Sequence, residues 1–424
     1  MEELPFIYPA SDCVWNLLGL GFCLADVVLD VLLVVEFYQE GAYACLGVMI
    51  FLLLLSSLLL QAFSFLWYNY GPTEQQRQLS SFVYIEKYLK NQSLLRTLHV
   101  LQLGIYFRFA AVLEISVRNL KAREPQKESV AVYLNHDLSM LRLIETFVES
   151  APQLALMMCV MLLRDDLEII TGLKTAASLS AIAFSVLMYH RSLRSFLPNK
   201  ANQDWSSSLV YFLWNLLLIG PRLGALALFA SVEPCYTAAH FLVLWPVLVL
   251  WAWRQDTDFM DSQCGEWLYR ATVGVIWYFS WFNVSAGSTR NKSIIYHSLM
   301  SVDTAVLLTV WFFKKEEPFR LGPVSAPLLL VVITSLYSLG IIVRIVYYGF
   351  FHPKDAIPAA KMISDEVDFR SRPEAHNNLR AAACMVYKGD SAHVVLDVQP
   401  APTPPEPLKG PQKRMRRLVN NFYS

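Results

Sequence analysis

The chain has 424 residues, of which 55% are apolar and 17% are charged, and its mean hydropathy is +0.38. Soluble domains carry about 25% charged residues, so this composition excludes a set of ordinary soluble domains. The formal net charge is 0, which argues against a nucleic-acid-binding protein, because such proteins need a basic excess. Seven scattered cysteines without a C-x-x-C pair predict neither a zinc site nor a disulfide framework.

Ten stretches of the chain are apolar and long enough to approach a membrane-spanning helix of about twenty residues. They lie at 12–38, 43–69, 96–118, 138–163, 169–190, 206–231, 236–254, 263–285, 294–313 and 325–350. Two of them are weak spans. The 96–118 stretch holds several ionisable residues, and the 263–285 stretch is crowded with Trp and Tyr and contains Arg270.

The charges of the connecting segments predict the topology, because basic loops stay in the cytosol. The basic residues are Arg77, Lys87, Lys90, Lys121, Arg123, Lys127, Arg191, Arg194 and Lys200. The acidic link at 164–168 should lie outside. Both assignments hold together if 96–118 enters the membrane and returns on the same side. Nine full spans would put the two termini on opposite sides of the membrane, and a second partial segment brings both to the cytosol. The candidate is 263–285, which is the third of five runs in the second half, as 96–118 is in the first.

The predicted fold is an all-α polytopic membrane protein with eight transmembrane helices, two partial re-entrant helices and cytosolic termini. Residues 1–200 and 201–352 would form two pseudo-repeats. Residues 353–424, rich in proline and charge, would form a cytosolic tail. Ten plain spans are the alternative.

Ionisable residues within the apolar runs are costly and therefore mark function or buried pairing. Asp26 and Asp30 are four residues apart and share a helix face, as do Glu145 and Glu149, and Pro152 predicts a kink. The predicted polar seam consists of Asp12, Asp26, Asp30, Arg108, Arg142, Glu145, Glu149, Gln153, Arg222 and Asp303, with the carboxylates of the first and fourth runs facing one of the three arginines.

Three interpretations of this seam stay open. It is a hydrophilic track for charged cargo, a set of ion pairs that only fixes helix packing, or a Ca²⁺ or other metal site, although the arginines would compete for the carboxylates. The sequence contains no nucleophile elbow, zinc-protease, P-loop or dinucleotide motif, so we predict neither an enzyme nor a cofactor.

The tail contains the tetrapeptide Asp365-Glu366-Val367-Asp368, the preferred substrate sequence of executioner caspases. These proteases require Asp before the cut because arginines in the pocket bind its carboxylate bidentately. An exposed, extended tail suits such cleavage. Phe369 follows the cut, where a small residue is preferred, and this departure predicts slower cleavage.

The acidic first span, the ESAPQL stretch at Glu149–Leu154, the Gly220-Pro221-Arg222 segment and the cleavable tail together resemble the XK-related membrane proteins. Within that family the chain is similar to the subgroup with a caspase site shortly after the last span. The resemblance covers about residues 1–368.

The resemblance implies eight spans plus two partial helices and a phospholipid scramblase of the plasma membrane. Members of the subgroup move phosphatidylserine and other lipids between leaflets without ATP, and they expose phosphatidylserine in apoptosis once an executioner caspase removes an autoinhibitory tail. Some require a single-span immunoglobulin-family partner such as basigin or neuroplastin, and others act without one.

Two other functions remain from the sequence: a secondary transporter or channel for a small solute, and a scaffold for a lipid-transfer or receptor partner. For autoinhibition we predict a helical plug at 379–387 that binds in a cytosolic cleft between the halves. Its apolar contacts would come from Leu379, Met385, Val386 and Tyr387.

Overall fold

The computed structural model describes residues 10–69, 83–89, 91–121, 125–164, 169–195, 203–284, 289–315, 320–321 and 324–352. All of these residues belong to one compact unit. A second unit, made of 199–201 and 354–408, lies outside the described residues.

The described residues are almost entirely helical. The first half contains α1 (Ala10–Gln39), α2 (Tyr43–Asn69), α3 (Tyr84–Leu89), α4 (Gln92–Val100), α5 (Gly104–Lys121), α6 (Pro125–Glu145), α7 (Ala151–Arg164) and α8 (Ile169–Ser195). The second half contains α9 (Trp205–Val232), α10 (Pro234–Trp253), α11 (Gln263–Phe279), α12 (Thr289–Lys314) and α13 (Ala326–Val346). Between α12 and α13, the two-residue strands β1 (Arg320–Leu321) and β2 (Val324–Ser325) pair antiparallel.

Eight segments are long and apolar enough to cross a membrane. They are Ser11–Gln39, Tyr43–Tyr68, Val130–Arg164, Thr171–Ser195, Trp205–Val232, Pro234–Trp253, Arg290–Lys314 and Ala326–Phe351. This confirms the all-α polytopic fold with eight spans. Helix α9 is the most buried of them, and it packs against α7, α8, α12 and α13, whereas α10 and α13 expose most of their apolar side chains. The lipid-facing surface therefore surrounds a core built on α9.

Helices α4 and α5 form a bent pair, with their axes at 117° across a break of three residues. This agrees with the predicted partial segment at 96–118, although it begins earlier, at Gln92. Helix α11 has 17 residues and is about 26 Å long, shorter than the hydrocarbon core of about 30 Å. Ten plain spans are wrong for the described residues, which contain eight, or nine if the bent pair is counted as one.

The tip of the α4–α5 pair is fixed against α2. Gln102 has a φ of 63°, a left-handed conformation that is uncommon for a residue other than glycine. Its Oε1 accepts a 2.5 Å hydrogen bond from Ser57 Oγ. A Cβ atom on Gly104 would lie 2.4 Å from Gln61 Oε1 and 2.7 Å from His99 Nε2, so a larger residue here would have to displace the ends of these two side chains.

The predicted kink at Pro152 takes the form of a π turn at Thr146–Ser150 that joins α6 to α7 without a break. A proline has no N–H for the carbonyl one turn earlier, and a wider turn before it accommodates that loss. The π turn also changes the rotational relation of Glu145 and Glu149, which an uninterrupted α-helix would place on one face. A second π turn, Tyr347–Phe351, ends α13.

Candidate intramembrane polar site

Helix α1 carries a polar stripe along one face. Its residues are spaced by three and four positions, as one face of an α-helix requires: Asp12, Asn16, Gly19, Cys23, Asp26 and Asp30. Asp12 and Asp30 are buried, whereas Leu24 and Val28 between them are more than half exposed and face lipid. At 1.5 Å per residue the stripe is about 27 Å long, close to the thickness of the hydrocarbon core. We call this set the α1 stripe.

The first end of the α1 stripe is held by Arg191 of α8. Arg191 Nη2 lies 2.9 Å from Asp12 Oδ1, and Nη1 donates to Ser208 Oγ at 2.7 Å and to the Gln203 carbonyl at 2.9 Å. The guanidinium also lies 4.9 Å from the centre of the Trp15 ring. Sequence reasoning treated Arg191 as a loop charge and missed this pair, although its place in the last two turns of α8 was a signal that it reaches back into the bundle.

Polar and apolar side chains surround a small cavity beside the α1 stripe. A cavity of about 30 Å³ lies between α1, α5, α6 and α8, and it is lined in part by Asn16, Asn135, Ser139, Arg142 and Ser185. A volume of this size holds one or two water molecules. Asn135, Ser139 and Arg142 are four and three residues apart on α6, and this helical spacing was the signal that the sequence analysis missed.

Arg142 joins the cavity to the carboxyl groups at the other end of the stripe. Its Nη2 lies 3.7 Å from Asp26 Oδ2, and its Nη1 contacts Glu145. Ser150 Oγ donates to Asp26 at 3.2 Å. Asp30 and Glu149 are buried close to this pair. The structure therefore brings two predicted carboxyl groups, Asp26 and Glu145, to the Arg142 guanidinium, with two more nearby.

Arg108 lies apart from the α1 stripe, with partners of its own at the α2–α5 interface. It pairs with Asp137 at 3.4 Å, and its Nε donates to Ser64 Oγ at 2.8 Å. Its guanidinium lies 4.1 Å from the centre of the Tyr68 ring. Of the carboxylates predicted to face an arginine, Arg108 therefore contacts Asp137 on α6 rather than one of the first run.

Arg222 and Asp303 pair with each other in the second half of the chain. Arg222 Nη1 lies 2.5 Å from Asp303 Oδ2. His240 Nε2 contacts Asp303 Oδ1 at 2.9 Å, and its Nδ1 contacts the Tyr278 hydroxyl at 2.8 Å. The predicted single seam is thus divided into three separate groups. They are the α1 stripe, Arg108 with Asp137, and Arg222 with Asp303.

The remaining predicted residues differ in what the structure describes. Gln153 of α7 is buried, and its Nε2 has no hydrogen-bond partner among the described residues. Among all the residues that the structure describes, no group of three His, Cys, Asp or Glu side chains is arranged to hold a metal ion. The caspase tetrapeptide 365–368 with Phe369, and the predicted plug residues Leu379, Met385, Val386 and Tyr387, lie outside the described residues.

Comparison with known proteins covers nearly all of the described chain. The model of the XK-related protein family matches residues 14–353. "XK-related protein 8" of Tetraodon nigroviridis is 48% identical over 363 residues, 85% of this chain and 88% of that protein. The proteins of the same name are 47% identical over 357 residues (84% and 87%) in Gasterosteus aculeatus and 38% identical over 344 residues (81% and 84%) in Pan troglodytes.

Proposed function

The chain belongs to the XK-related family, and from this premise we propose that it is a phospholipid scramblase of the plasma membrane, exposing phosphatidylserine when its tail is cut. Scrambling moves lipids down their gradients between the leaflets, so it needs no nucleotide. The tail after the last span inhibits the chain until an executioner caspase cleaves after Asp368. Membership of the family and the multi-pass architecture support these more specific statements.

The observation that carries the proposal is the length and continuity of the α1 stripe. Burying a charged or strongly polar headgroup without partners costs several kcal/mol, and that cost holds lipids in their leaflet. A stripe of about 27 Å supplies polar partners at its two ends and at the cavity beside Asn16, from the Asp12 pair to the carboxyl groups at Asp30. A headgroup that follows the stripe exchanges water for side-chain partners while its acyl chains stay in lipid.

The neutral middle of the stripe favours a route over isolated ion pairs. Ion pairs that only fix helix packing are best surrounded by apolar side chains, which exclude water and close the gaps. Here a cavity of about 30 Å³ between the two charged ends is lined by amide and hydroxyl groups together with apolar side chains. The amide and hydroxyl groups in this lining can serve as partners for a polar cargo.

The activity test compares the intact chain with a chain that ends at Asp368, each reconstituted in liposomes with fluorescent phospholipids. We expect lipid exchange between leaflets from the shortened chain and little from the intact one. Both are also assayed after co-reconstitution with a single-span immunoglobulin-family partner. Solute flux from the intact chain would instead support a transporter, and inactivity of both chains with and without the partner would support a scaffold.

A variant of the cavity tests the route itself. Asn16→Leu replaces an amide with a larger apolar side chain of similar branched shape, removes polarity from the stripe beside the cavity and leaves every ion pair in place. We expect it to reduce lipid exchange several-fold at normal folding, because the headgroup loses its partners between the charged ends. The control is Asp256→Asn, which changes an exposed carboxylate between α10 and α11. Unchanged exchange in Asn16→Leu would mean that lipid does not follow the stripe.

A further inference from the structure

The C-terminal end of α11 lies inside the protein, and its last carbonyl groups need partners there. The final carbonyls of a helix have no intrahelical donors, and this end of the helix carries partial negative charge. The Trp277 carbonyl accepts a 2.6 Å hydrogen bond from the Tyr296 hydroxyl. The Tyr278 carbonyl accepts one from Arg222 Nε at 3.3 Å. Arg222 and Tyr296 therefore cap this partial helix from α9 and α12.

Several buried polar atoms beside this end have no hydrogen-bond partner among the described residues, and two of them belong to Arg222 and His297. Arg222 is 2% exposed, and its Nε and Nη1 atoms are engaged by Tyr278, Thr304 and Asp303. Its Nη2 has no hydrogen-bond partner among the described residues, and neither has Nε2 of His297, which is 9% exposed. A buried donor or acceptor left without a partner is costly, so native structures seldom tolerate two together.

Both residues line the same small cavity. Its volume is about 20 Å³, and Ser280, Tyr296 and Met300 are also part of its wall. A cavity of 10–15 Å³ is enough for a water molecule that has two or more polar partners. The volume, the two unpaired atoms and the Ser280 hydroxyl meet both conditions.

We propose that this cavity is a binding site for one ordered water molecule, held between Arg222 Nη2 and His297 Nε2 at the end of α11. Arg222 donates to the water, and the water bonds to the imidazole nitrogen. This site is independent of the proposed lipid route, since it lies in the second half of the chain and none of its residues belongs to the α1 stripe.

Other occupants fit the site less well. Asp303 already compensates the charge of Arg222, so an anion would bring an excess negative charge into a buried place. A phosphate or carboxylate also exceeds a volume of about 20 Å³. An apolar molecule would leave Nη2 and Nε2 unsatisfied. Water satisfies both atoms without adding charge.

Radiolytic footprinting of the purified full-length chain in H₂¹⁸O tests the site. An X-ray pulse turns water into hydroxyl radicals in place, so a buried side chain is labelled with ¹⁸O only where water lies beside it. Met300, which is 3% exposed and lines the cavity, is compared with Met49, which is 1% exposed and packs in an apolar cluster with Phe37 and Val160. We expect Met300 to be labelled several-fold faster than Met49.

Two variants separate a held water from general solvent entry. His297→Leu removes one partner of the water and should reduce the labelling of Met300 to the rate of Met49. His297→Gln retains a polar group at this position and should preserve the labelling. Equal, slow labelling of Met300 and Met49 in the unaltered chain would overturn the proposal, and so would fast labelling of Met300 that survives His297→Leu.

Discussion

The Asp12–Arg191 pair offers the sharpest test of whether the α1 stripe carries lipid or only holds helices together. Asp12 Oδ1 and Arg191 Nη2 are 2.9 Å apart and nearly inaccessible. At an effective dielectric constant of 20 the gross attraction is about 6 kcal/mol, and the loss of water from both charges offsets much of it. Removing one partner leaves the other buried and unpaired, which typically costs about 3–5 kcal/mol.

The experiment is a double-mutant cycle with two readouts. Asp12→Asn and Arg191→Met each leave one buried charge unpaired, and we expect each to lower the thermal stability of the purified chain. The double variant has no unpaired charge, so its stability should return most of the way to that of the unaltered chain. Lipid exchange is measured for all four chains, each shortened to end at Asp368, at matched protein-to-lipid ratios.

The two interpretations predict different results for the double variant. If the pair only fixes α1 against α8, stability and lipid exchange recover together. If the headgroup uses these charges, stability recovers and lipid exchange stays low, which is the result that we expect. A double variant that recovers both would refute the role of Asp12 and Arg191 in the route.

Three further predictions concern the tail, the α4–α5 tip and helix α3. Asp368→Ala should block phosphatidylserine exposure in apoptotic cells that lack other scramblases, measured by annexin binding, and exposure at the normal rate would contradict cleavage at this site. Gln102→Gly should change the free energy of unfolding little, because glycine adopts the left-handed backbone without strain and this gain offsets the lost hydrogen bond to Ser57. Ser57→Ala loses the same hydrogen bond but leaves the strain at Gln102, so it should lower the free energy of unfolding by about 0.5–1.5 kcal/mol. Burial raises the pKa of Glu86, whose Oε1 accepts a 3.0 Å hydrogen bond from the Tyr68 hydroxyl. A raised pKa means that the folded state favours the neutral acid, so this group's stabilising contribution is lost as pH rises from its unfolded-state pKa through the raised folded value. Glu86→Gln should remove that pH dependence in thermal melts, and an unaltered pH profile would contradict it.

The spans could be predicted from the sequence because their signal is one-dimensional. Length and hydropathy mark a transmembrane helix, and the charges of the loops distinguished 96–118 from a plain span, which agrees with the bend between α4 and α5. The partners of the polar residues depend on tertiary packing, which spacing does not specify. Asp26 and Asp30 share a face by their spacing, yet the choice among Arg108, Arg142 and Arg222 required the three-dimensional structure, in which Arg142 of α6 reaches Asp26 of α1.

The parts of the site that sequence reasoning missed have weak local signals. Asn135 and Ser139 are neutral and are common in helices, so they do not stand out as an ionisable residue does in an apolar run. In the sequence, the proline at 152 predicts an ordinary kink equally well, so the π turn before it could not be distinguished from one. Its effect on Glu149, which the π turn contains and which is buried, is visible only in three dimensions.

One face of helix α1 carries the α1 stripe, and the opposite face exposes apolar side chains such as Leu24 and Val28. Ion pairs attach it at both ends, Asp12 to Arg191 on α8 and Glu40 to Arg164 on α7, whereas the central contact of Asp26 with Arg142 is longer, at 3.7 Å. Helix α1 is therefore held most closely at its two ends. The Asp12 end is also connected to the end of α13. Arg191 donates to the Gln203 carbonyl, and Gln203 Nε2 lies 3.5 Å from the hydroxyl of Tyr347, in the π turn that ends α13.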